Sequence, residues 1–519
     1  MTRNIHYAVA AIATAFFAGM AVDACAQTPD DALRASWFIP GGSARSMAVG
    51  GAMGALGGDI SAANVNPAGI GLYKTREIVL SPGFVFNNTR SNYRDSSSKA
   101  NKTGFAYGPI GIVLGTPESR RSNWTSSAFA LTVTQLASYN NHVSYAGYNN
   151  YSSFSEQFVE ELVADAADTL AAENNYINGA SLAYRTYLID NARDGNGNLI
   201  GYKRLPTPST GLYQEYDANT RGGLHEINLA FAGNQRDKLY IGGSIGIPIL
   251  SYQRDLYFRE SDASGNLHND FNYTEYRENF KSSGIGLNAK VGVIYKPKEF
   301  IRLGLAFHTP SIMSFKDELR ASMKTDTEDY YPHGALFESS DRLNDGAPVV
   351  RKYNQVTPYR IIASGSYVFR QVENTKRQRA FISADIEYIN HRGSRYSTSE
   401  DDNQGLKNYY KMANQAIKGY LKNAFNFRLG GELKFDPVMF RLGAAYYGSP
   451  YQDKELKASR FMTSAGLGYR NHGMFIDLTY ALSWNKDANF PYRLNGKANT
   501  FAMEKNNRGN LILTVGFKI

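Results

Sequence analysis

With 519 residues, 56 Lys and Arg, 47 Asp and Glu and a formal net charge of +9, the chain carries a dispersed positive charge and no basic tract. That distribution argues against nucleic acid as a partner and suits an anionic outer-membrane lipid or glycolipid surface. The single cysteine, Cys25, falls in what reads as a leader, so disulfides, thiol catalysis and cysteine metal sites drop out for the mature chain.

Taken in chain order, residues 1–26 have the grammar of a secretory signal peptide. Arg3 supplies the positive end, Ala8 to Val22 the apolar run, and Ala24-Cys25-Ala26 a cleavage site before Gln27. Acylation of Cys25 is the alternative, disfavoured by Asp23, where such signals take a small or apolar residue. An exported chain without other cysteines suits the bacterial envelope. After the leader no apolar run approaches the roughly 18 residues of a spanning helix, which excludes a helical inner-membrane protein. The chain is rich in Tyr (36), Phe (28) and Gly (48) yet hydrophilic on average. A transmembrane barrel has that composition, because lipid-facing and lumen-facing residues alternate along each strand.

The stretch GGDISAANVNPAGIGLY, residues 57–73, is poor in large apolar side chains but punctuated by Asn66-Pro67. Pro67 fixes its own φ and biases Asn66 away from helix, so a defined bend is expected there. Strand patterning starts near Arg76. Ile227, Leu229 and Phe231 share one parity, opposite Glu226, Asn228 and Ala230. Ile241, Ile245, Ile247 and Ile249 oppose Ser244, and Ile285, Leu287, Val291 and Val293 oppose Asn288 and Lys290. Ile301, Leu303, Leu305 and Phe307 oppose Arg302 and His308. Phe425, Phe427, Leu429 and Leu433 oppose Asn426, Arg428 and Glu432; Phe440 and Leu442 oppose Arg441; Ile476, Leu478 and Tyr480 oppose Asp477. Such period-2 patterning marks strands between two unlike environments.

Short turns near 117–122, 234–237, 296–299, 370–378, 436–438 and 470–473 alternate with long polar segments near 89–102, 146–222, 255–275, 313–356, 390–422 and 485–506. A β-sandwich seldom sustains so many long hairpins, and a propeller needs a blade repeat that is not visible. Short turns at one end, long loops at the other and about fourteen strands predict an all-β fold: a transmembrane antiparallel β-barrel spanning 76–519 in the outer membrane. Two of the long loops have helical spacing. One holds Phe154, Phe158, Val159, Leu162, Val163, Ala166 and Leu170, and the other, basic one holds Tyr409, Tyr410, Met412, Ile417, Tyr420 and Leu421. They read either as caps over the barrel mouth that pack on each other or as an apolar capture surface for a greasy ligand.

Gly42-Ser43-Ala44-Arg45-Ser46-Met47-Ala48-Val49-Gly50-Gly51-Ala52, then Asp59, then Asn66-Pro67-Ala68-Gly69 resembles the N-terminal signature of the FadL family, outer-membrane transporters of long-chain fatty acids and other hydrophobic compounds. FRLGAAYYGSPY (440–451) and SAGLGYRNHGMFIDLTY (464–480) look like the last strands of the family. The resemblance implies a fourteen-stranded barrel whose residues 27–75 form a hatch inside it. It also implies that ligand enters from outside and leaves through an opening in the wall. The insertion at 146–222 departs from the fatty-acid transporters, so the ligand itself does not carry over.

Arg45, Asp59, Asn66, Pro67, Ala68 and Gly69 are therefore the candidate hatch and gating residues. Arg302, His308, Asp385, Glu387, Arg428, Glu432, Arg441 and Asp477 are the candidate lumen contacts. They read either as a network that holds the hatch or, for one of the arginines, as a receiver of a ligand carboxylate. No phosphate loop is present, because no strand precedes Gly51–Gly58 and no Gly-Lys-Ser/Thr follows. His142, His225, His268, His308, His333, His391 and His472 have no metal spacing. No metal or cofactor is expected, with a lone histidine on haem as the alternative. Nothing places a nucleophile beside His308, so no enzymatic activity is expected.

Two functions remain from the sequence. The first is passive, hatch-controlled uptake of hydrophobic or amphipathic small molecules. The second, as in some Bacteroidetes-like relatives of the family, is a shuttle or scaffold that binds a protein partner through the long extracellular loops.

Overall fold

The structure, a computed structural model, describes residues 30–118, 122–369, 379–398, 400, 403–453, 456 and 458–519. The leader, Cys25 and the turn at 370–378 lie outside the described residues. Fourteen antiparallel strands close into a barrel. They are β1 (Arg76–Leu80 and Pro82–Tyr93), β2 (Ser96–Tyr107 and Ile110–Pro117), β3 (Trp124–Ser138 and Asn141–Asn149), β4 (Leu212–Gln235) and β5 (Leu239–Asp262). β6 (Tyr273–Lys298), β7 (Ile301–His308 and Ile312–Asp326), β8 (Val349–Val356 and Arg360–Phe369), β9 (Ala380–Ile389) and β10 (Ala424–Phe435) follow. β11 (Val438–Tyr447), β12 (Arg460–Asn471), β13 (Met474–Asn489) and β14 (Ala502–Lys518) complete the wall. Closure is made by β14 on β1, with Leu80 opposite Val515 and Phe84 opposite Leu511.

The burial pattern inverts that of a soluble protein. On β10, Phe425, Phe427, Leu429 and Leu433 are exposed while Asn426, Arg428 and Glu432 are buried. The same split separates Leu303, Leu305 and Phe307 from Arg302, and Leu229 and Phe231 from Glu226 and Asn228. A continuous belt of exposed apolar side chains around a polar interior fits hydrocarbon outside and a filled lumen inside.

The strands are unequal. β11 has 10 residues, close to the span of a bilayer, whereas β4 and β5 have 24 and β6 has 26. Their excess rises above the lipid belt at the end that carries the long connections. The structure here corrects the expected polar loops. Over 89–102, 255–275 and 485–506 the ladder continues to Tyr93, Asp262 and Asn489 before the chain turns. Above the membrane the inward face packs on the cap while the outward face, with Gln253, Asp255 and Arg259 on β5, becomes polar, so the alternation that marks a lipid-facing strand ends although the hydrogen-bond ladder does not.

Residues 150–211 fold as a cap with helices α1 (Glu156–Ala164), α2 (Thr169–Asn174) and α3 (Ala180–Arg185) and a hairpin of Ile189–Arg193 with Leu199–Arg204. Phe154, Phe158, Leu162, Tyr176, Leu182 and Leu188 form its core together with Phe258, Tyr276 and Tyr492 of the wall and loops. Helix α4 (Gln404–Tyr420) buries Tyr409, Tyr410 and Ile417 in a separate core with Tyr353, Tyr396 and Tyr451. The two expected loop helices exist but do not share a core; each seats on its own sector of the wall.

Candidate functional site: the hatch in the lumen

Residues 30–75 run through the barrel interior as short turns and helices. Ser43 caps the five-residue helix Ala44–Ala48 by accepting from the Ser46 amide, and its hydroxyl donates to Asp59 at 2.8 Å. Asp59 also accepts from the Ser61 amide at 2.9 Å. Asp59 therefore ties two parts of the hatch together and, among the described residues, makes no ion pair with the wall. Asn66 is extended and caps the 3-10 turn Pro67–Leu72, its side-chain oxygen accepting from the Ala68 amide. Its amide nitrogen donates to Gly54 O at 2.7 Å and Val293 O at 3.3 Å, joining the bend to both the hatch and β6. The Gly69 amide donates to Asn66 O and Gly69 O accepts from Gly58, which closes the bend on itself.

The wall charges divide into two centres. At one, Glu432 accepts from Arg441 at 2.6 Å and faces Arg45 at 3.6 Å, while Arg441 donates to Asp477 at 2.6 Å. Arg45 donates onward to Gly58 O, so this centre grips the hatch helix. At the other, Glu387 pairs with Arg428 and with Arg360 at 3.4 Å and accepts from Asn426 at 3.0 Å. The remaining candidates bind hatch backbone. Asp385 accepts from the Gly54 amide at 3.1 Å, Arg302 donates to Leu56 O at 2.7 Å, and His308 lies 2.9 Å from Val65 O. Buried charges need such partners, because removing one leaves the other uncompensated. Lys290 on β6 and Glu226 on β4, which the sequence pattern set on the polar parity only, form a further buried pair at 2.6 Å.

A belt of wall glycines completes the seat. A β-carbon on Gly430 would lie 2.2 Å from Val49 O, one on Gly443 2.1 Å from Gly50 N, and one on Gly304 2.5 Å from Gly54 O. Gly242 and Gly292 stand opposite each other on β5 and β6 against Pro67, Ala68 and Asn66. The hatch backbone thus lies directly on the wall backbone, an approach that any side chain would block. These glycines are scattered over five strands, so no local sequence signal marks them.

Between hatch and wall remains a cavity of about 100 Å³. Phe38, Met47, Leu136, Leu224, Met313 and Met462 give it an apolar lining, and Lys290, His308, Arg360 and Arg428 edge it. It reaches a discontinuity in β3. The strand bulges between Gln135 and Ala137, and Leu136 O turns inward to accept from Gly41 of the hatch at 3.0 Å. Beyond this bulge, among the described residues, no ladder joins Ser96–Tyr107 of β2 to β3; the ladder between them stops at Ile110 opposite Val133. Side chains fill the seam instead. Gln135 accepts from the Tyr107 amide, Asn141 from Thr89, and Asn140 packs against Gly104. Phe105 and Val133 flank it on the exposed apolar belt. Above the hatch opens a mouth of about 1430 Å³ lined by both loop regions, including Phe154, Phe158, Tyr252, Tyr409 and Met412.

The chain is thus a closed fourteen-stranded barrel with its own N-terminal segment folded into the lumen. No protein-family model and no curated protein matches the sequence. Solved structures do match in fold. A FadL homologue of Pseudomonas aeruginosa aligns at 12% identity with a TM-score of 0.52, covering 92% of this chain and 98% of its own. The toluene transporter TodX of P. putida aligns at 12% identity and TM-score 0.51, covering 93% and 99%. The toluene transporter TbuX of Ralstonia pickettii aligns at 15% identity and TM-score 0.50, again covering 93% and 99%. At these identities the shared property is the fold, and it extends over nearly the whole of each chain.

Proposed function

We propose that the protein is an outer-membrane channel for passive uptake of hydrophobic or amphipathic small molecules, with passage controlled by the hatch. The observation that carries this reading is the position of the cavity: apolar side chains line it from Phe38 and Met47 of the hatch to Leu136 at the bulge in β3, next to which the wall ladder is interrupted. At about 100 Å³ it is far smaller than a usual ligand pocket of roughly 300–1,000 Å³. A fatty acid or aromatic hydrocarbon therefore passes only when the hatch shifts. The solved relatives in fold support the substrate class, two being described as toluene transporters.

The charge centres favour the hatch-holding role for Arg45, Arg302, Arg428, Glu432, Arg441 and Asp477 over reception of a ligand carboxylate. Each already has a hatch or wall partner. The test is flux of a fluorescent fatty acid and of toluene into liposomes holding the purified protein. Pro67→Ala and Gly69→Leu are expected to change the flux while the barrel still assembles, as read by heat-modifiable gel mobility. Flux no greater than in protein-free liposomes overturns the channel reading. Failure of assembly in both variants assigns the segment to structure instead of gating.

A second reading rests on the cap. Leu170 and Ile200 stand exposed on the folded insertion, which suits a protein partner at the cell surface. Specific capture of an exported protein, abolished by deleting 150–211 with flux intact, would favour that shuttle or scaffold role.

A further inference from the structure

The outer wall above the lipid belt carries two kinds of charged row. On the β4–β7 side, cations are interleaved with acids: Arg221 lies 3.7 Å from Asp255, Arg259 3.9 Å from Glu215, and Lys316 2.5 Å from Glu318, and Lys281 stands opposite Glu318. Across the closure of the barrel the pattern is different. Lys486 on β13 stands opposite Lys505 on β14, Lys505 opposite Arg90 on β1, and Arg90 opposite Lys99 on β2. Four cations therefore occupy one transverse row on four consecutive strands, and all four are exposed. Among the described residues none has a carboxylate within 4.0 Å. Like charges directly opposite each other on neighbouring strands destabilise a sheet. With strands about 4.8 Å apart the row is roughly 14 Å long.

Its height is equally specific. The next outward row below it is Trp484, Asn507, Asn88 and Asn101, and below that the face becomes Leu482, Phe86 and Thr103, then Tyr480, Leu511, Phe84 and Phe105. Trp484 stacks on Phe461, an aromatic pair of the kind found where hydrocarbon meets water. Arg90 lies twelve residues beyond Ile78, the start of the exposed belt on β1. At a rise of about 3.4 Å and a tilt of about 40° that is about 30 Å, just past an apolar band of about 25 Å. The row stands at headgroup level in the outward leaflet.

We propose that Lys486, Lys505, Arg90 and Lys99 form a binding site for the phosphate groups of a phosphorylated glycolipid in that leaflet. The phosphates would supply the counter-charge that the sheet lacks, while the acyl chains lie on Phe84, Phe105 and Leu511 below. A protein partner would contact the row from the aqueous side and has no use for this register with the apolar belt. The site is independent of transport through the lumen, since every residue in it faces outward.

The test uses the full-length protein in mild detergent and native mass spectrometry with three probes: a bisphosphorylated glycolipid of the lipid A type, its dephosphorylated form, and inorganic phosphate. The bisphosphorylated lipid is expected to be retained about tenfold better than the dephosphorylated one. The variant R90Q/K99Q/K486Q/K505Q is expected to lose about tenfold in that retention, whereas R221Q/K281Q, in an acid-bearing row, is unchanged. Heat-modifiable mobility reports folding of each variant, and K99Q/K505Q, expected to lose about threefold, serves if the quadruple variant does not fold. Undiminished retention by the substituted row, or equal retention of the dephosphorylated lipid, overturns the proposal. Complete displacement by millimolar inorganic phosphate also overturns it, because the site then reads an anion and not a lipid.

Discussion

The hatch and the cap are both pieces of chain seated on the same barrel, yet they are held in different proportions of apolar packing and backbone contact. The cap at 150–211 is fastened by large aromatic and aliphatic side chains, with Phe154 stacked on Phe258 and Leu162 fully buried. The hatch also buries Met53, Ile60 and Ile70, in smaller clusters with Val368, Phe381 and Val113 of the wall. What sets it apart is that it also rests backbone on backbone against Gly304, Gly430 and Gly443, tied by point contacts such as Arg302 to Leu56 O and Thr479 to Ala44 O. Apolar burial is worth roughly 25 cal/mol per Å² and is lost only when the element leaves its site. Hydrogen bonds exchange with water for a net of about 1 kcal/mol each. An element whose hold on the wall depends more on exchangeable polar ties is expected to shift more readily inside the lumen than one fastened by a single aromatic core.

The sharpest way to break that contrast is to spoil the glycine seat. Gly443→Leu puts a side chain where the Gly50 amide now lies, and the hatch is expected to be displaced, raising liposome flux by about tenfold with barrel assembly intact. The matching attack on the cap, Phe158→Ala, removes a core aromatic and is expected to cost the cap about 3–5 kcal/mol, read by hydrogen exchange over 150–211, with lumen flux unchanged.

A smaller effect comes from pH. Burial, with Asp165 adding to it, raises Glu161 of α1 to about 8, and burial raises Glu260 at the top of β5 to about 7. Both carboxyls hold their protons more tightly in the folded cap than in the unfolded chain. The cap is thus most stable below the ordinary carboxyl range and loses stability as pH rises through about 7 to 8. Exchange rates over 150–211 are expected to climb between pH 5 and pH 8, and E161Q/E260Q to flatten the profile. The most local change is expected from Asn66→Ala, which removes the cap of the Pro67 turn together with the bonds to Gly54 O and Val293 O. Each is worth about 1 kcal/mol, and the loss shows as faster exchange at Ala68 and Gly69 without loss of the barrel.

How much of this was legible in the sequence depends on the range over which the physics acts. Lipid on one face and lumen on the other print alternation into each strand separately, so Leu229 and Phe231, or Arg428 and Glu432, could be assigned to faces without any partner strand. The bend at Asn66-Pro67 is local in the same sense. Partnerships are not local. Glu226 and Lys290 sit two strands apart around the barrel, and their meeting depends on strand order and register. The glycine belt combines positions on five strands that share only a height. The bulge at Leu136 leaves no mark, since Gln135, Leu136 and Ala137 read as ordinary strand residues. Asp59 reads as a candidate partner for a wall arginine, but Ser43 and Ser61 lie closer and satisfy it.

On the proposed function, passage requires the hatch to move against the wall. The side chains of Asn64 in the hatch and Asn228 on β4 are in contact, so a cysteine at each position can be joined by a short reducible bis-thiosulfonate linker without a side chain being added at any wall glycine. Flux of a fluorescent fatty acid through Asn64→Cys/Asn228→Cys protein in liposomes, measured cross-linked and then reduced, tests this directly. The cross-link is expected to abolish passage and a reductant to restore it. Equal flux in the two states would show that ligand moves past a stationary hatch, and would contradict hatch control.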